Sequence, residues 1–270
     1  MLSHDIHVHT IISECCHEPD ATPENYIRLA KDLGLKVIGF SDHLWDSAVD
    51  GASKWYSTQN FDHIMQIKDM IPVDTQGIKV LIGCETEYCG NGKIGISPKV
   101  AKQLDFVLVP ISHVHMKGFV LPSWMNTPED IANTMVKYFK DVTNFDFITG
   151  IAHPFYPLGH ENIDGIISCI PDDVFMECFS MAAEKGISIE INACHFPSIK
   201  GVETETYNDE TFLNMFLIAK AAGCKFHLGS DAHSIDVLPR IIKLQKIVED
   251  LGFTDEDIHP IVTDNAIKNS

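Results

Sequence analysis

One unit recurs along these 270 residues: a short apolar run, a polar loop, then a helical pattern. The runs are Ile6–Val8, Lys36–Phe40, Lys79–Gly83, Phe106–Ile111, Phe147–Ala152, Ile187–Ile191 and Lys225–Leu228. Each is short and rich in β-branched or aromatic residues, which predicts strands buried on both faces. Between them, Thr22-Pro23-Glu24 opens a helix with an N-cap threonine and a proline at the first helical position, and Gly34 stops it. Thr127-Pro128-Glu129 opens another in the same way. Pro171-Asp172-Asp173 opens one that stops at Gly186, and Asp209–Ala222 and Leu238–Leu251 stop at Gly223 and Gly252. Phe61–Met70 and Pro98–Gln103 read as weaker helices. Seven β-then-α units with no linker between them predict one α/β domain over 1–270 with a mostly parallel sheet.

The ends of the runs carry the chemistry. The first ends in His7-Val8-His9, with His17 beyond it, and the second in Asp42-His43. The third ends in Glu85, with Glu87 two residues on. The fourth ends in His113-Val114-His115 and the fifth in His153. The sixth contains Glu190 and Asn192, and the seventh ends in Asp231-Ala232-His233. In an open sheet these groups would lie along an edge, and those of the first and last strands could not meet. In a parallel barrel they share one face, where active sites sit. Convergence therefore favours closure into a TIM-like ring. No GxGxxG or GxxxxGK[ST] follows any run, so a nucleotide-cradling loop is not supported.

Residues two apart on a strand point to the same side, so His7 and His9 can bind one ion, and Asp231 and His233 repeat the spacing. Imidazole with carboxylate suits zinc, manganese or iron better than magnesium or calcium. With three or four protein ligands per catalytic ion, nine ligand-type residues imply two or three ions, and Glu85 is the natural bridge.

His7-Val8-His9-Thr10, Ser41-Asp42-His43, Gly83-Cys84-Glu85, His153-Pro154 and Gly229-Ser230-Asp231-Ala232-His233 resemble the motifs of the PHP (polymerase and histidinol phosphatase) superfamily, in family order. The resemblance implies a distorted seven-stranded (β/α) barrel, three divalent ions and phosphoester hydrolysis. It places His7, His9, Glu85 and Asp231 around one ion. Glu85, His153 and the fourth-strand histidine would hold a second, with His113 favoured over His115. His17, His43 and His233 would hold the third. Glu190 and Asn192 fall outside the family's ligand set and read as groups supporting the ligands.

Such a site implies in-line attack on phosphorus by a metal-bridging hydroxide. Asp231 and His233 are candidates to protonate the leaving group, with His160 and His195 as alternatives. Arg240 is a candidate phosphate anchor. The loops Leu44–Gln59, His115–Asn126, Phe155–Ile163 and Cys194–Tyr207 are long enough to form a substrate pocket, with Trp45, Lys54, Trp55, Tyr56, Lys117, Phe119 and Trp124 among its candidate walls.

Acids outnumber bases 38 to 20, and the formal charge of −18 argues against nucleic acid or an anionic membrane as main partner. It tolerates a small phosphorylated metabolite, because three ions add about +6 locally. Eight cysteines without a CxxC pair, no secretory leader and no membrane-length apolar run read as a reduced, cytoplasmic protein. The leading expectation is a phosphomonoesterase acting on a histidinol-phosphate-like substrate. The alternatives are a phosphodiesterase of short oligonucleotides or nucleotide derivatives, an amidohydrolase-type hydrolase, and a metal-binding protein with a dead site. The amidohydrolase reading lacks a lysine at the expected strand end.

Overall fold

The computed structural model describes residues 3–200 and 207–263; positions 201–206 of the fourth long loop lie outside them. Seven parallel strands follow one another in chain order: β1 (His4–Val8), β2 (Val37–Phe40), β3 (Lys79–Glu85), β4 (Phe106–Pro110), β5 (Gly150–Ala152), β6 (Ser188–Asn192) and β7 (Phe226–Gly229). The ring closes where β1 meets the end of β7. There the N–H of Asp231 donates to the His7 carbonyl and that of His9 to the Ala232 carbonyl, each at 2.9 Å. A register shift in β1 between Asp5 and Val8 makes the closure irregular. The result is a distorted TIM-like barrel.

Among the described residues ten helices surround it: α1 (Pro23–Asp32), α2 (Phe61–Ile64), α3 (Ile67–Met70), α4 (Pro98–Ala101), α5 (Pro128–Val142), α6 (Ile163–Ile167), α7 (Asp172–Lys185), α8 (Pro197–Lys200), α9 (Glu210–Ala221) and α10 (Arg240–Asp250). The start signals work as their chemistry requires. Thr22 accepts from the Asn25 N–H, and Thr127 forms a capping box with Asp130. The single helix expected over Phe61–Met70 is broken in two, because the Gln66 N–H bonds three residues back to His63 and tightens the turn. The fifth strand starts later than its apolar run, since the Ile148 N–H is still engaged in a turn with Phe145.

Apolar packing lies in two layers. Ile6, Val37, Leu81, Phe106, Leu108 and Ala152, from five strands, fill the barrel, with Ile258 and Val262 added from beyond α10. The main-chain carbonyls of Ile261 and Thr263 accept from Lys79, and the His259 N–H donates to Phe226, so this segment covers the N-terminal mouth. The larger layer joins strands to helices through side chains such as Phe139, Phe155, Phe175 and Phe179. With one mouth plugged, only the C-terminal ends of the strands are left to carry a site. Among the described residues, no helix is long and apolar enough to cross a membrane.

Candidate metal centre

Among the described residues, the buried carboxylates Asp5, Asp42, Glu85, Glu87 and Glu190 sit in and around the open end of the barrel. Asp231 adds a sixth, partly exposed one. Among the described residues no lysine or arginine is buried, so no fixed cation offsets them. Uncompensated buried charge is strongly unfavourable, and imidazoles or bound cations must supply the balance.

Eight of the nine expected ligand residues converge. The Nε2 atoms of His7 and His9 face each other at 3.1 Å. Each stands 3.4 Å from Asp231 Oδ1, and they lie 3.5 and 3.4 Å from Glu85 Oε2. Donors about 2.1 Å from a tetrahedral ion stand about 3.4 Å apart, so this quartet has the dimensions of one ligand shell. Glu85 reaches further: Oε2 lies 3.3 Å from His43 Nδ1, and Oε1 lies 3.0 Å from His153 Nε2 and 3.8 Å from His113 Nε2. Three ligand-type groups overlap here, His7–His9–Glu85, His7–His153–Asp231 and Glu85–His113–His153. A fourth joins His9, Cys15, His43 and His233. The donor set fits divalent transition metals.

His17 is not in any of these groups. It is exposed, two residues past the place where the chain turns inward, and Cys15 stands where it was expected. The loop is set by Asp42, which accepts from the Thr10 N–H at 2.7 Å, the Thr10 hydroxyl at 2.8 Å and the Ser13 hydroxyl at 2.8 Å. Pinned so tightly, the turn brings Cys15 over the barrel and leaves His17 in solvent. Of the fourth-strand pair, His113 joins Glu85 and His153, whereas His115 stands on the rim.

Three of the inward imidazoles are held by their other nitrogen, which fixes ring and tautomer. His7 Nδ1 bonds Glu190 at 2.8 Å, His153 Nδ1 bonds the Ser112 hydroxyl at 2.6 Å, and His113 Nδ1 bonds Glu87. Tyr56 also donates to Glu87, at 2.7 Å. Glu190 accepts from the His153 N–H as well, so one carboxylate holds two of the expected ligand residues. Gly229 makes room for it: a Cβ there would stand 1.8 Å from Glu190 Oε1 and 2.7 Å from His7 Cβ. Two of the expected ligand residues lie in the left-handed region, His153 at φ 26° and Asp231 at φ 54°, conformations that cost of order 1–3 kcal/mol and cluster at functional sites.

Electrostatics follow from this crowding. Burial opposes ionisation of Glu85, but His7, His43 and His113 outweigh it and hold its carboxyl well below the ordinary range. Asp231 is held low against burial by His7, His9 and His233. Glu190 is held down to about 2 against burial by His7. His113 is pushed up to about 9, burial opposing, by Glu87 and Glu85. Burial likewise opposes ionisation of the Cys15 thiol, yet His9 and hydrogen bonding with His233, His43 and His9 hold it down to about 3.

The cluster floors a cavity of about 250 Å³ walled by Trp55, Tyr56, His115, Met116 and Leu158. A larger cavity of about 320 Å³, between Gly90, Phe119 and Tyr138, holds no such cluster, and the chemistry places the site in the smaller one. None of Arg240, Lys117, His160 and His195, expected at the substrate pocket as anchor, wall or proton donors, lines the smaller cavity. His195 is fully buried, its nitrogens 3.1 Å from the carbonyls of Pro154 and Asn192. Lys117 is exposed and donates to Asn126. His160 is half-buried behind His115, and Arg240 opens α10 on the outer layer. Nearness in sequence to a strand end did not tell which way these side chains turn. Trp55 and Tyr56 do line the cavity, whereas Trp124 is 70% exposed. Reasoning from sequence missed Cys15, and it passed over Ser112, whose only signal is its place before His113.

A PHP domain model matches residues 5–194. The chain belongs to the PHP domain family. A probable phosphatase of Clostridium acetobutylicum is 26% identical over 257 residues, covering 93% of this chain and 87% of its own length. A probable phosphatase of Shewanella frigidimarina is 28% identical over 254 residues, covering 93% and 86%. A solved Lactococcus lactis structure, histidinol phosphate phosphatase complexed with zinc, L-histidinol and phosphate, aligns with a TM-score of 0.63 at 20% identity. The alignment covers 94% of this chain and 95% of that one. That likeness carries the fold of this PHP chain, the closed parallel barrel.

Proposed function

We propose that this chain, a phosphoric ester hydrolase of the PHP family, releases phosphate from small phosphomonoesters with the help of three divalent ions of zinc, manganese or iron. The observation that carries the reading is the quartet of His7, His9, Glu85 and Asp231, with ligand-shell spacing, on the floor of a small cavity. His7, His9, Glu85 and Asp231 would hold one ion, Glu85 with His113 and His153 a second, and His43 and His233 would contribute to a third. Ions bound there supply positive charge to a phosphoryl group and acidify water.

The chain's own groups do the rest. Glu85 presents both oxygens to different imidazoles and so ties the sites together. Glu190, Ser112 and Glu87 keep the lone pairs of His7, His153 and His113 aimed inward. Asp231 and His233, 3.6 Å apart at the rim, would be the candidates to return a proton to the leaving group, each only through an atom that an ion does not occupy. Trp55, Tyr56, Met116 and Leu158 would enclose the leaving group and exclude water. Among the described residues no lysine or arginine lines the cavity, so nothing there tracks a polyanionic backbone. That favours a compact monoester over an oligonucleotide. The histidinol phosphate phosphatase of like fold makes histidinol phosphate the first substrate to try.

The test is phosphate release from a panel of small monoesters, histidinol phosphate included, beside a diester. We expect monoester turnover that chelation and His9→Ala both abolish. Undiminished turnover in His9→Ala, or diester cleavage with the monoesters ignored, would overturn the reading.

A further inference from the structure

We propose that Cys15 is a thiolate metal ligand which, with His43 and His233 and close beside His9, makes one position of the centre selective for zinc-like over manganese-like ions. The proposal rests on the metal-dependent reading of the cluster. Its basis is geometric. The ligand-type atoms of these four residues lie within 4.8 Å of one another at the cavity floor. The rings converge as well, His9 with His233 at 4.3 Å between centroids and His9 with His43 at 4.6 Å.

Cys15 is the sulfur the fold aims inward. Its neighbour Cys16 turns to the main chain instead, with Sγ 2.9 Å from the His233 carbonyl. No other cysteine among the described residues joins a metal-type group. The hydrogen bonds of Asp42 to Thr10 and Ser13 hold the turn that presents Cys15. The remaining groups offer only imidazole and carboxylate, which accept manganese, iron or zinc. Thiolate prefers softer ions such as zinc and disfavours manganese. One centre would then hold positions of different softness, and the ion at the Cys15 position would be the hardest for manganese to replace.

The experiment loads the metal-free full chain with cobalt(II) under reductant and reads the near-ultraviolet thiolate-to-cobalt charge-transfer band. Wild type and His17→Ala should show the band; Cys15→Ser and Cys15→His should lose it. Offered equal zinc and manganese, wild type should retain one more equivalent of zinc than Cys15→His. X-ray absorption at the zinc edge of the wild type, which needs no variant, should show sulfur in the coordination shell. No band and no sulfur in the wild type, or a band that survives Cys15→Ser, overturns the assignment. Phosphate release without sulfur ligation would sink this inference and spare the hydrolytic one; sulfur ligation without turnover of any ester would do the reverse.

Discussion

Glu190→Gln is the sharpest probe of how the centre is built. The Glu190 side chain is fully buried, 2.8 Å from His7 Nδ1 through Oε1, and it also accepts from the His153 N–H. A carboxylate can accept from both donors. Glutamine has a single acceptor oxygen, so its NH₂ must face one of them and one hydrogen bond becomes a donor–donor contact. If His7 loses its partner, its Nδ1 proton is no longer fixed and Nε2 no longer holds a lone pair toward His9, Glu85 and Asp231. Loss of such an orienting group costs about 10–100-fold in metal affinity, or about 1.4–2.7 kcal/mol. The shape is nearly conserved, so the fold should survive with about 1–3 kcal/mol of destabilisation from the unpaired donor. The assay is zinc affinity by chelator competition, paired with urea unfolding of the metal-free protein. Wild-type zinc affinity in a folded Glu190→Gln protein would refute the claim that this carboxylate aims the ligands.

Three further outcomes follow from the same geometry. Gly229→Ala would place a Cβ against Glu190 and His7; metal content and thermal midpoint should both fall, and an unchanged midpoint would show that the close approach is not needed. Trp55→Ala removes a cavity wall whose ring packs edge-on to His43 at 5.0 Å between centroids, so KM for aromatic monoesters should rise, and an unchanged KM would show that this ring does not face the substrate. His195 is buried among Phe212, Phe216 and Tyr156; burial lowers it from 6.5 to about 4, against the opposing bonds to Pro154 and Asn192. The unfolded chain therefore takes up a proton that the folded one refuses. Stability is fully present above pH 6.5 and falls by about 3 kcal/mol on acidification toward pH 4. His195→Gln should flatten that part of the metal-free stability profile, and parallel urea midpoints for the two proteins at pH 7 and pH 4.5 would refute it.

Strand positions were legible because strands buried on both faces must be apolar along their whole length, and helix starts because caps use side chains local in sequence. The convergence of ligand-type residues on strands was legible for a related reason. His7, His9, Glu85 and His153 sit at or beside strand ends, and a parallel ring has one place to send such ends. The loops obeyed no such rule. Cys15 and His17 are both sound ligands two residues apart, and choosing between them needs the hydrogen bonds of Asp42, which come from another strand. Arg240, Lys117, His160 and His195 looked as suitable as Trp55 for facing a substrate, yet their directions depend on packing against distant segments.

The order of apolar runs and the residue types at their ends, both properties of short stretches of chain, by themselves determined a parallel α/β ring with a metal-binding rim. Which side chains actually turn into the cavity, which imidazole nitrogen is free, and that Cys15 rather than His17 joins the cluster were decided by tertiary structure alone. Those choices are set by contacts between residues tens to hundreds of positions apart, whose energies appear only once the ring has closed.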